Sequence, residues 1–301
     1  MDISLNIASV WKRYGKDAGK AAKLIKAAGF DAVDFDLCPM DEDDDRFNRD
    51  DYRELAKECR RQIEAEGLYV NQTHVPFTFK NWDNEEHFNN VIFPRTVRSL
   101  EISAILGAQT AIVHPLHYSE YHGHEEEWFE KNMAFYRSLI PYCEKYGIKM
   151  CVENMFRRDP RRKYIAHDTC SRKEEFIRYV DTLNSPYVVA CLDVGHVGLP
   201  VQDDEAWDFV RALGHDRLQA LHIHDNDYQN DRHAVPYSGI MNWAEIAKAL
   251  GEIDYTGVFT YEISAAYFNN VDDEFLPVKV KYVADIARHL CDIIDRNRPA
   301  K

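Results

Sequence analysis

Residues 187–225 read YVVACLDVGHVGLPVQDDEAWDFVRALGHDRLQALHIHD, with two apolar segments on either side of a more polar one. The outer segments, YVVACLD (187–193) and LQALHIHD (218–225), are typical of β-strands, and the segment near 203–213 has helical periodicity. Two parallel strands need a crossover connection, which is usually a helix. The stretch therefore predicts a β-strand–helix–β-strand unit whose two strands both end in polar, chemically active side chains.

The same alternation runs through the whole chain. Strands are predicted at 3–10, 31–37, 68–74, 110–115, 148–154, 187–193, 218–225 and 257–264, and helices near 15–29, 50–67, 84–106, 125–146, 171–183, 203–213, 242–251 and 277–297. Eight strand–helix pairs predict an α/β protein with the closed (β/α)₈ architecture of a TIM barrel, as one domain over residues 1–301. An open, doubly wound sheet more often has a glycine-rich turn after its first strand, where this chain has VWKRYGK.

Composition restricts the classes of partner and the compartment. The chain has 51 acidic and 37 basic residues and a net charge of −14, which argues against a nucleic-acid partner. It has no apolar run of membrane-spanning length, and its first residues lack the pattern of a signal peptide. Seven scattered cysteines without a CxxC motif predict free thiols in a reducing compartment. We therefore expect a cytoplasmic protein that does not bind membranes.

Polar side chains occupy the predicted carboxyl ends of six successive strands, which is where a TIM barrel builds its active site. They are His74, His114, Glu153, Asp193 with His196 nearby, His222 and His224, and Glu262, while Asp231 and His233 lie in the loop after the seventh strand. Each residue alone has an ordinary structural explanation, such as a hydrogen-bonded histidine or a carboxylate that caps a helix. Their common position at one mouth of the barrel favours a functional site.

Carboxylates gathered at one mouth repel one another unless a cation or protons compensate their charge. Mixed imidazole and carboxylate ligands suit Mn²⁺, Co²⁺, Fe²⁺ or Zn²⁺, and Mg²⁺ is a further candidate. His222 and His224 are two residues apart on one strand and so face the same side. The position of His224 nearer the strand end favours it as the ligand, with His222 deeper, but the choice between the two stays open.

These motifs, taken in order, resemble the xylose-isomerase-like TIM barrel superfamily. The resemblance is carried by VEN (152–154), CLDVGH (191–196), HIHDND (222–227), DRH (231–233) and YEIS (261–264), with QTHVPF around His74 and IVHP around His114. The superfamily includes sugar isomerases and epimerases, inosose dehydratases and type IV AP endonucleases. Each motif is short, and their order on successive strands carries the resemblance.

The resemblance implies a sugar, polyol or keto-sugar isomerase or epimerase that depends on one divalent ion, with manganese preferred. It assigns the metal to Glu153, Asp193, His224 and Glu262, and proton transfer to the two glutamates, with His196 and His114 as further catalytic groups. The substrate-binding residues it implies are His74, His222, Asp231, Arg232 and His233, although the offset of Arg232 from His224 is unusual for the group. It also implies a small carbohydrate substrate and a homo-oligomer; a different partner subunit stays open.

Three alternatives remain. A metal-dependent lyase or dehydratase acting on keto-sugars or 3-keto-glycosides, C-glycosides included, shares the first proton abstraction. A type IV AP endonuclease-like phosphodiesterase would bind three zinc ions through the same histidines and carboxylates, but the acidic charge and the stretch PYSGIMNW (236–243) argue against it. A degenerate, non-catalytic barrel is disfavoured because all four residues assigned to the metal are present.

The basic segment RRDPRRK (157–163) follows the fifth predicted strand, so it should lie on the same face as the strand ends. Three interpretations of this basic segment stay open: it contacts an anionic substrate, it contacts another subunit, or it is a solvated loop. The acidic run DEDDD (41–45) is interpreted as a solvated loop.

Overall fold

The computed structural model describes residues 1–77, 83–116, 121–159, 161 and 163–300. Its strands are β1 (Ile3–Asn6), β2 (Ala32–Asp36), β3 (Tyr69–His74), β4 (Thr110–Val113), β5 (Lys149–Glu153), β6 (Phe156–Arg158), β7 (Ile165–His167), β8 (Val188–Asp193), β9 (Leu218–His222) and β10 (Phe259–Tyr261). Eight of them form one parallel sheet in the order β10-β1-β2-β3-β4-β5-β8-β9. A parallel bridge between Ile223 and Tyr261 brings the two ends of this sheet together.

Helices connect the strands along the outside of the barrel. They are α1 (Ala8–Trp11), α2 (Ala18–Ala27), α3 (Tyr52–Ala65), α4 (Glu85–His87), α5 (Phe93–Leu106), α6 (Glu125–Tyr146), α7 (Lys173–Leu183), α8 (Val194–Val197), α9 (Ala206–Arg217), α10 (Trp243–Glu252), α11 (Ala265–Asn269) and α12 (Leu276–Arg296). Short 3₁₀ segments cover Lys12–Tyr14, Cys38–Asp41 and Arg46–Asn48, and a π-helical turn covers Phe88–Ile92. The predicted TIM barrel is therefore confirmed. In the described part of the chain, no helix has both the length and the apolarity needed to cross a membrane.

Three predicted strands are shorter in the structure by three or more residues, and the others by one or two. The first ends at Asn6, because the Asn6 side chain accepts a hydrogen bond of 2.8 Å from the backbone N–H of Ala8 and turns the chain into α1. The strands predicted to reach residues 225 and 264 end at His222 and Tyr261. The sequence also did not predict the antiparallel β6–β7 hairpin, which is inserted between β5 and α7.

Alternation along the strands explains why the polar residues face the barrel axis. A separate buried cluster of Ile112, Cys151, Val189, Cys191 and Ala220 comes from β4, β5, β8 and β9. Successive side chains on a strand point to opposite faces, so residues two positions further along lie on the same, inner face. Those residues are His114, Glu153, Asp193 and His222. The polar site is thus the layer directly above the apolar filling of the barrel.

Candidate active site

Four polar residues meet at the centre of the barrel mouth, and we call Glu153, Asp193, His222 and Glu262 the inner cluster. Each offers one ligand atom, and these atoms all lie within 4.8 Å of one another. Glu153, Asp193 and His222 are the last residues of β5, β8 and β9, and Glu262 directly follows β10. The His222 Nδ1 atom lies 2.6 Å from Glu153 Oε1 and 3.5 Å from Glu262 Oε2. Side chains from four strand ends therefore form one compact polar group.

The structure places His222, rather than the sequence-preferred His224, in the inner cluster. β9 ends at His222, and His224 lies beyond it in a second group with His196, Asp231 and His233, which we call the outer cluster. The His224 ring stacks on His233 with a centroid separation of 4.1 Å. Its Nε2 atom lies 2.9 Å from Asp193 Oδ1, so the two clusters share a border at Asp193.

Two further predicted histidines hold Glu153 and His222 from the other side. His114 Nε2 lies 2.6 Å from Glu153 Oε2, and together with His74 these residues form a third possible ligand group. The His74 ring lies nearly parallel to that of His222 at 5.5 Å. His74 Nδ1 also lies 2.8 Å from the sulfur of Cys38. Glu153 is thus contacted by an imidazole on each of its two carboxylate oxygens.

The electrostatics of the site reflect charge concentrated in a buried space. Burial raises the pKa of Glu262 to about 7, although His222 and His233 act to lower it. Burial also opposes ionisation of Glu153, but His222 and His114 outweigh it and hold the pKa of that carboxyl well below its usual range. Burial lowers the pKa of His233, yet Glu262 and Asp231 raise it to about 10. The carboxylates thus favour positive charge on His233, as expected of a site that attracts a cation, whereas burial lowers the pKa of His224.

Asn154 is a supporting residue whose role becomes visible only in the structure. Its side chain bonds both to the backbone carbonyl of Asp193 (2.9 Å) and to the Asp193 N–H (2.8 Å), which fixes the end of β8 beside β5. Its backbone carbonyl oxygen accepts a hydrogen bond of 2.8 Å from His196 Nδ1. The Nε2 atom of His196 then faces Asp193 and Asp231, at 3.6 and 3.9 Å.

Asp34 is a second residue that the sequence analysis missed. It is fully buried, accepts a hydrogen bond of 3.2 Å from the Asn6 side chain and lies 3.7 Å from His222 Nε2. Burial raises its pKa. Its neighbours Val33 and Phe35 pack in the outer core. The alternation of AVDFD was therefore a signal for an acid on the inner face of β2.

Arg232 is not among the residues that line the cavity at the barrel mouth, and its expected contact with substrate stays a prediction. Its half-exposed side chain lies 3.5 Å from Asp227, outside the cavity at the barrel mouth. Its neighbours Asp231 and His233 point inward, which leaves the residue between them facing solvent. Asp225 from the same segment has a structural role, because its buried carboxylate accepts hydrogen bonds from the loop that follows β9 and from the indole of Trp243.

The two clusters fit a divalent cation by their donor types and by several buried atoms without a hydrogen-bond partner among the described residues, including Nε2 of His222 and Nδ1 of His224. The buried Oδ1 atom of Asp231 has no hydrogen-bond partner among the residues that the structure describes. Mixed imidazole and carboxylate donors suit Mn²⁺, Co²⁺, Fe²⁺ or Zn²⁺. The inner cluster offers four such residues and the outer cluster another four, so the site has donors for more than one ion.

A cavity of about 370 Å³ opens directly above the clusters. His74, His114, Glu153, His196, Asp231, His233 and Glu262 line its floor, while Phe77, Met155, Phe156, Arg157 and Arg158 form its walls. This volume lies within the range of about 300–1,000 Å³ that is usual for small-molecule pockets.

Comparison with known proteins agrees with this geometry. The family model described as xylose isomerase-like TIM barrel matches residues 22–285. The chain belongs to this family. A D-psicose 3-epimerase from Enterocloster bolteae is 25% identical over 272 residues, which is 87% of this chain and 82% of that protein.

Two more matches extend the comparison within the xylose isomerase-like family. An uncharacterized protein from Methanocaldococcus jannaschii is 25% identical over 191 residues, 63% of this chain and 62% of that protein, so less than two thirds of its length is matched. A crystal structure of D-psicose 3-epimerase in the presence of D-fructose has a TM-score of 0.73 at 18% identity and covers 96% of this chain and 99% of that one. At this identity the structural likeness shows the shared barrel fold.

Proposed function

We propose that this chain is a divalent-metal-dependent sugar isomerase or epimerase that moves a proton on a carbon next to the substrate's carbonyl. The observation that carries the proposal is the position of Glu153 and Glu262, two carboxylates of one compact cluster that both line the cavity. The D-psicose 3-epimerase relative supports the choice of an isomerase class.

The two glutamates are held differently, which suits a pair of groups that exchange one proton. Glu153 is almost fully buried between His114 and His222, so its orientation is fixed. The Glu262 side chain is 20% exposed, towards the cavity, and His233 donates from Nδ1 to the backbone carbonyl of Glu262 at 2.9 Å. One carboxylate removes the carbon-bound proton to give an enediolate, and the other returns a proton to the opposite face or to the adjacent carbon.

The surroundings of the glutamates can hold and orient a sugar. His196 faces the cavity with Nε2, because its Nδ1 proton is already bound to the carbonyl of Asn154, so Nε2 is available to a substrate hydroxyl. Met155 and Phe156 offer an apolar wall for the C–H face of the sugar. The Phe156 ring lies 4.9 Å from that of His196, which keeps this wall directly above the polar floor.

Glu153, Asp193, His222 and Glu262 are the residues proposed to hold the ion, with manganese preferred. A divalent ion there would supply Lewis-acid polarisation of the substrate's carbonyl and neighbouring hydroxyl oxygens. His224 borders this group through Asp193 and would fix the orientation of that carboxylate.

Proton transfer is tested by deuterium exchange. The protein is incubated in D₂O with D-psicose, D-tagatose, D-fructose and L-ribulose, and NMR records deuterium at the carbon next to the carbonyl together with new isomers. We expect exchange for at least one ketose and a loss of about 10²–10⁴-fold in E153Q and in E262Q, because a positioned acid–base group contributes that much. E130Q, on the exposed side of α6, is the matched control and should exchange at the wild-type rate. Exchange that survives in both site variants contradicts the assigned roles.

Metal dependence is tested separately. Dialysis against a chelator should abolish exchange, and addition of Mn²⁺ or Co²⁺ should restore it. Full exchange by protein shown to be metal-free by elemental mass spectrometry would refute the metal-dependent mechanism. An elimination product in the same NMR spectra, in place of an isomer, would identify the lyase alternative.

The outer cluster favours a second candidate function, zinc-dependent phosphodiester hydrolysis. Its four residues, together with the inner cluster and the His74–His114–Glu153 group, give donors for several ions. About one metal ion per chain supports the isomerase or epimerase, whereas close to three zinc ions with incision of an abasic-site duplex would support the phosphodiesterase.

A further inference from the structure

The β6–β7 hairpin carries the basic segment noted in the sequence and lies beside the active-site cavity. Arg157 and Arg158 from β6 line that cavity. A second cavity of about 530 Å³ is lined by Arg157, Arg161 and Arg172, together with Tyr164 and His167. Because Arg157 lines both, the two cavities adjoin along the hairpin.

Three arginines of this region, within the residues that the structure describes, form no ion pair with a carboxylate. Arg178 and Arg217, on the outer helices, form two-pronged ion pairs with Glu126 and Asp181. Within the described ranges, Arg158, Arg161 and Arg172 have no carboxylate at ion-pair distance. These three guanidinium groups are set apart by their position, because Arg158 lines the active-site cavity and Arg161 and Arg172 line the adjoining one.

The two acids among the described residues that line the second cavity form local hydrogen bonds. Asp159 is buried and accepts a hydrogen bond of 2.8 Å from the backbone N–H of Arg161, which shapes the hairpin turn. Glu125 accepts a hydrogen bond of 2.9 Å from the backbone N–H of Gly123 at the start of α6. The described lining of the second cavity has three arginines against these two acids, so it carries an excess of positive charge beside the active-site cavity.

We propose that the substrate is an anionic ketose derivative whose carbonyl end enters the active-site cavity and whose carboxylate or phosphate group binds to Arg161 and Arg172 in the second cavity. The inference rests on the proposed role of Glu153 and Glu262 in proton transfer. A guanidinium group suits an oxyanion because its planar fork donates two parallel hydrogen bonds. The adjoining cavities allow one extended molecule to occupy both.

The test compares three ligands that differ only at carbon six: D-fructose, D-fructuronate and D-fructose 6-phosphate. Their dissociation constants are measured by calorimetry with the full chain loaded with Mn²⁺. We expect the wild type to bind at least one anionic ketose about tenfold more tightly than D-fructose, a preference that falls with added salt. The tighter of the two anions identifies a carboxylate or a phosphate as the group recognised.

Two double variants locate the binding site of the anion. R161Q/R172Q should lower the preference for the anionic ketose by about tenfold, since two exposed guanidinium contacts are lost. R137Q/R296Q removes the same charge from exposed positions on α6 and α12 and should keep the preference. A wild type without anion preference, or a preference that R161Q/R172Q leaves intact, overturns the inference.

Exchange in D₂O, measured on the same samples, separates this inference from the proposed function. If the protein catalyses deuterium exchange but binds anionic and neutral ketoses equally well, only the inference of an anionic substrate is overturned. The opposite result is also informative: the wild type prefers the anionic ketose, R161Q/R172Q loses this preference, and no ketose exchanges its proton. That result supports the anion site and overturns proton transfer by the glutamates.

Discussion

Replacement of Gly195 by alanine tests how rigidly the barrel mouth holds His224. Gly195 lies in α8, and a Cβ atom there would lie 2.0 Å from His224 Cε1, 2.5 Å from Nδ1 and 2.6 Å from Nε2. Ordinary contacts of a Cβ atom are 3.4 Å or longer. The ring has no free space to retreat, because it is fully buried, bonded to Asp193 and stacked on His233.

The prediction concerns the sign of the change in the free energy of unfolding. Alanine normally stabilises a helix relative to glycine by about 0.5–1 kcal/mol. At Gly195 the overlap forces the ring or α8 to move, and overpacking of this kind costs about 1–3 kcal/mol. A 2.0 Å approach to a buried ring places the cost in the upper part of this range, about 2–3 kcal/mol. After the helical gain is subtracted, we expect G195A to be less stable than the wild type by about 1–2.5 kcal/mol.

Thermal melting and urea unfolding measure the change, with G19A as the matched control. Gly19 lies in α2, and its Cβ would meet its nearest atoms at 3.5 Å, an ordinary contact. G19A should gain about 0.5–1 kcal/mol. If G195A is as stable as the wild type while G19A is stabilised, His224 is not locked in place and the described packing of the outer cluster is wrong.

Two further predictions concern Glu175 and Asp225, which have no role in the proposed proton transfer. Burial raises the pKa of Glu175 from 4.5 to about 7, although the hydrogen bond donated by Tyr121 acts to lower it. The neutral acid is thus favoured in the folded protein, so its contribution of about 3 kcal/mol is present below pH 4.5 and lost as the pH rises through 7. The melting temperature of E175Q relative to wild type should accordingly rise across this window, and a difference that stays constant with pH argues against the shift. D225A leaves the Gly239 N–H and the Trp243 indole without their acceptor. Two unsatisfied donors at about 1–3 kcal/mol each should cost about 2–6 kcal/mol in urea unfolding, and a loss below about 1 kcal/mol contradicts the role of this carboxylate.

The fold and most of the candidate site were predictable because their signals are local. Strand-like stretches such as YVVACLD and amphipathic helices such as α3 and α6 show their periodicity within a few residues. Once strands alternate with helices, the carboxyl ends of all parallel strands meet at one mouth. Glu153, Asp193 and Glu262 could therefore be placed together although more than a hundred residues separate the first and last.

Side-chain direction beyond the strand ends was not predictable in this way. Strand alternation places His222 and His224 on one side, but it holds only while the strand continues, and β9 ends at His222. Past that point the path of the loop brought His224 to Asp231 and His233, and it turned Arg232 outward to Asp227.

The sequence by itself determined the barrel, its family motifs and the set of residues at its mouth, because periodicity and strand order are properties of the chain. Only the tertiary structure decided how those residues divide into an inner and an outer cluster, and that Asp34 supports His222 from a strand far away in sequence. It also brought Arg172 to the basic hairpin beside the cavity. Contacts of this kind depend on how loops bend and how neighbouring strands are staggered, and spacing along the chain does not encode these distances.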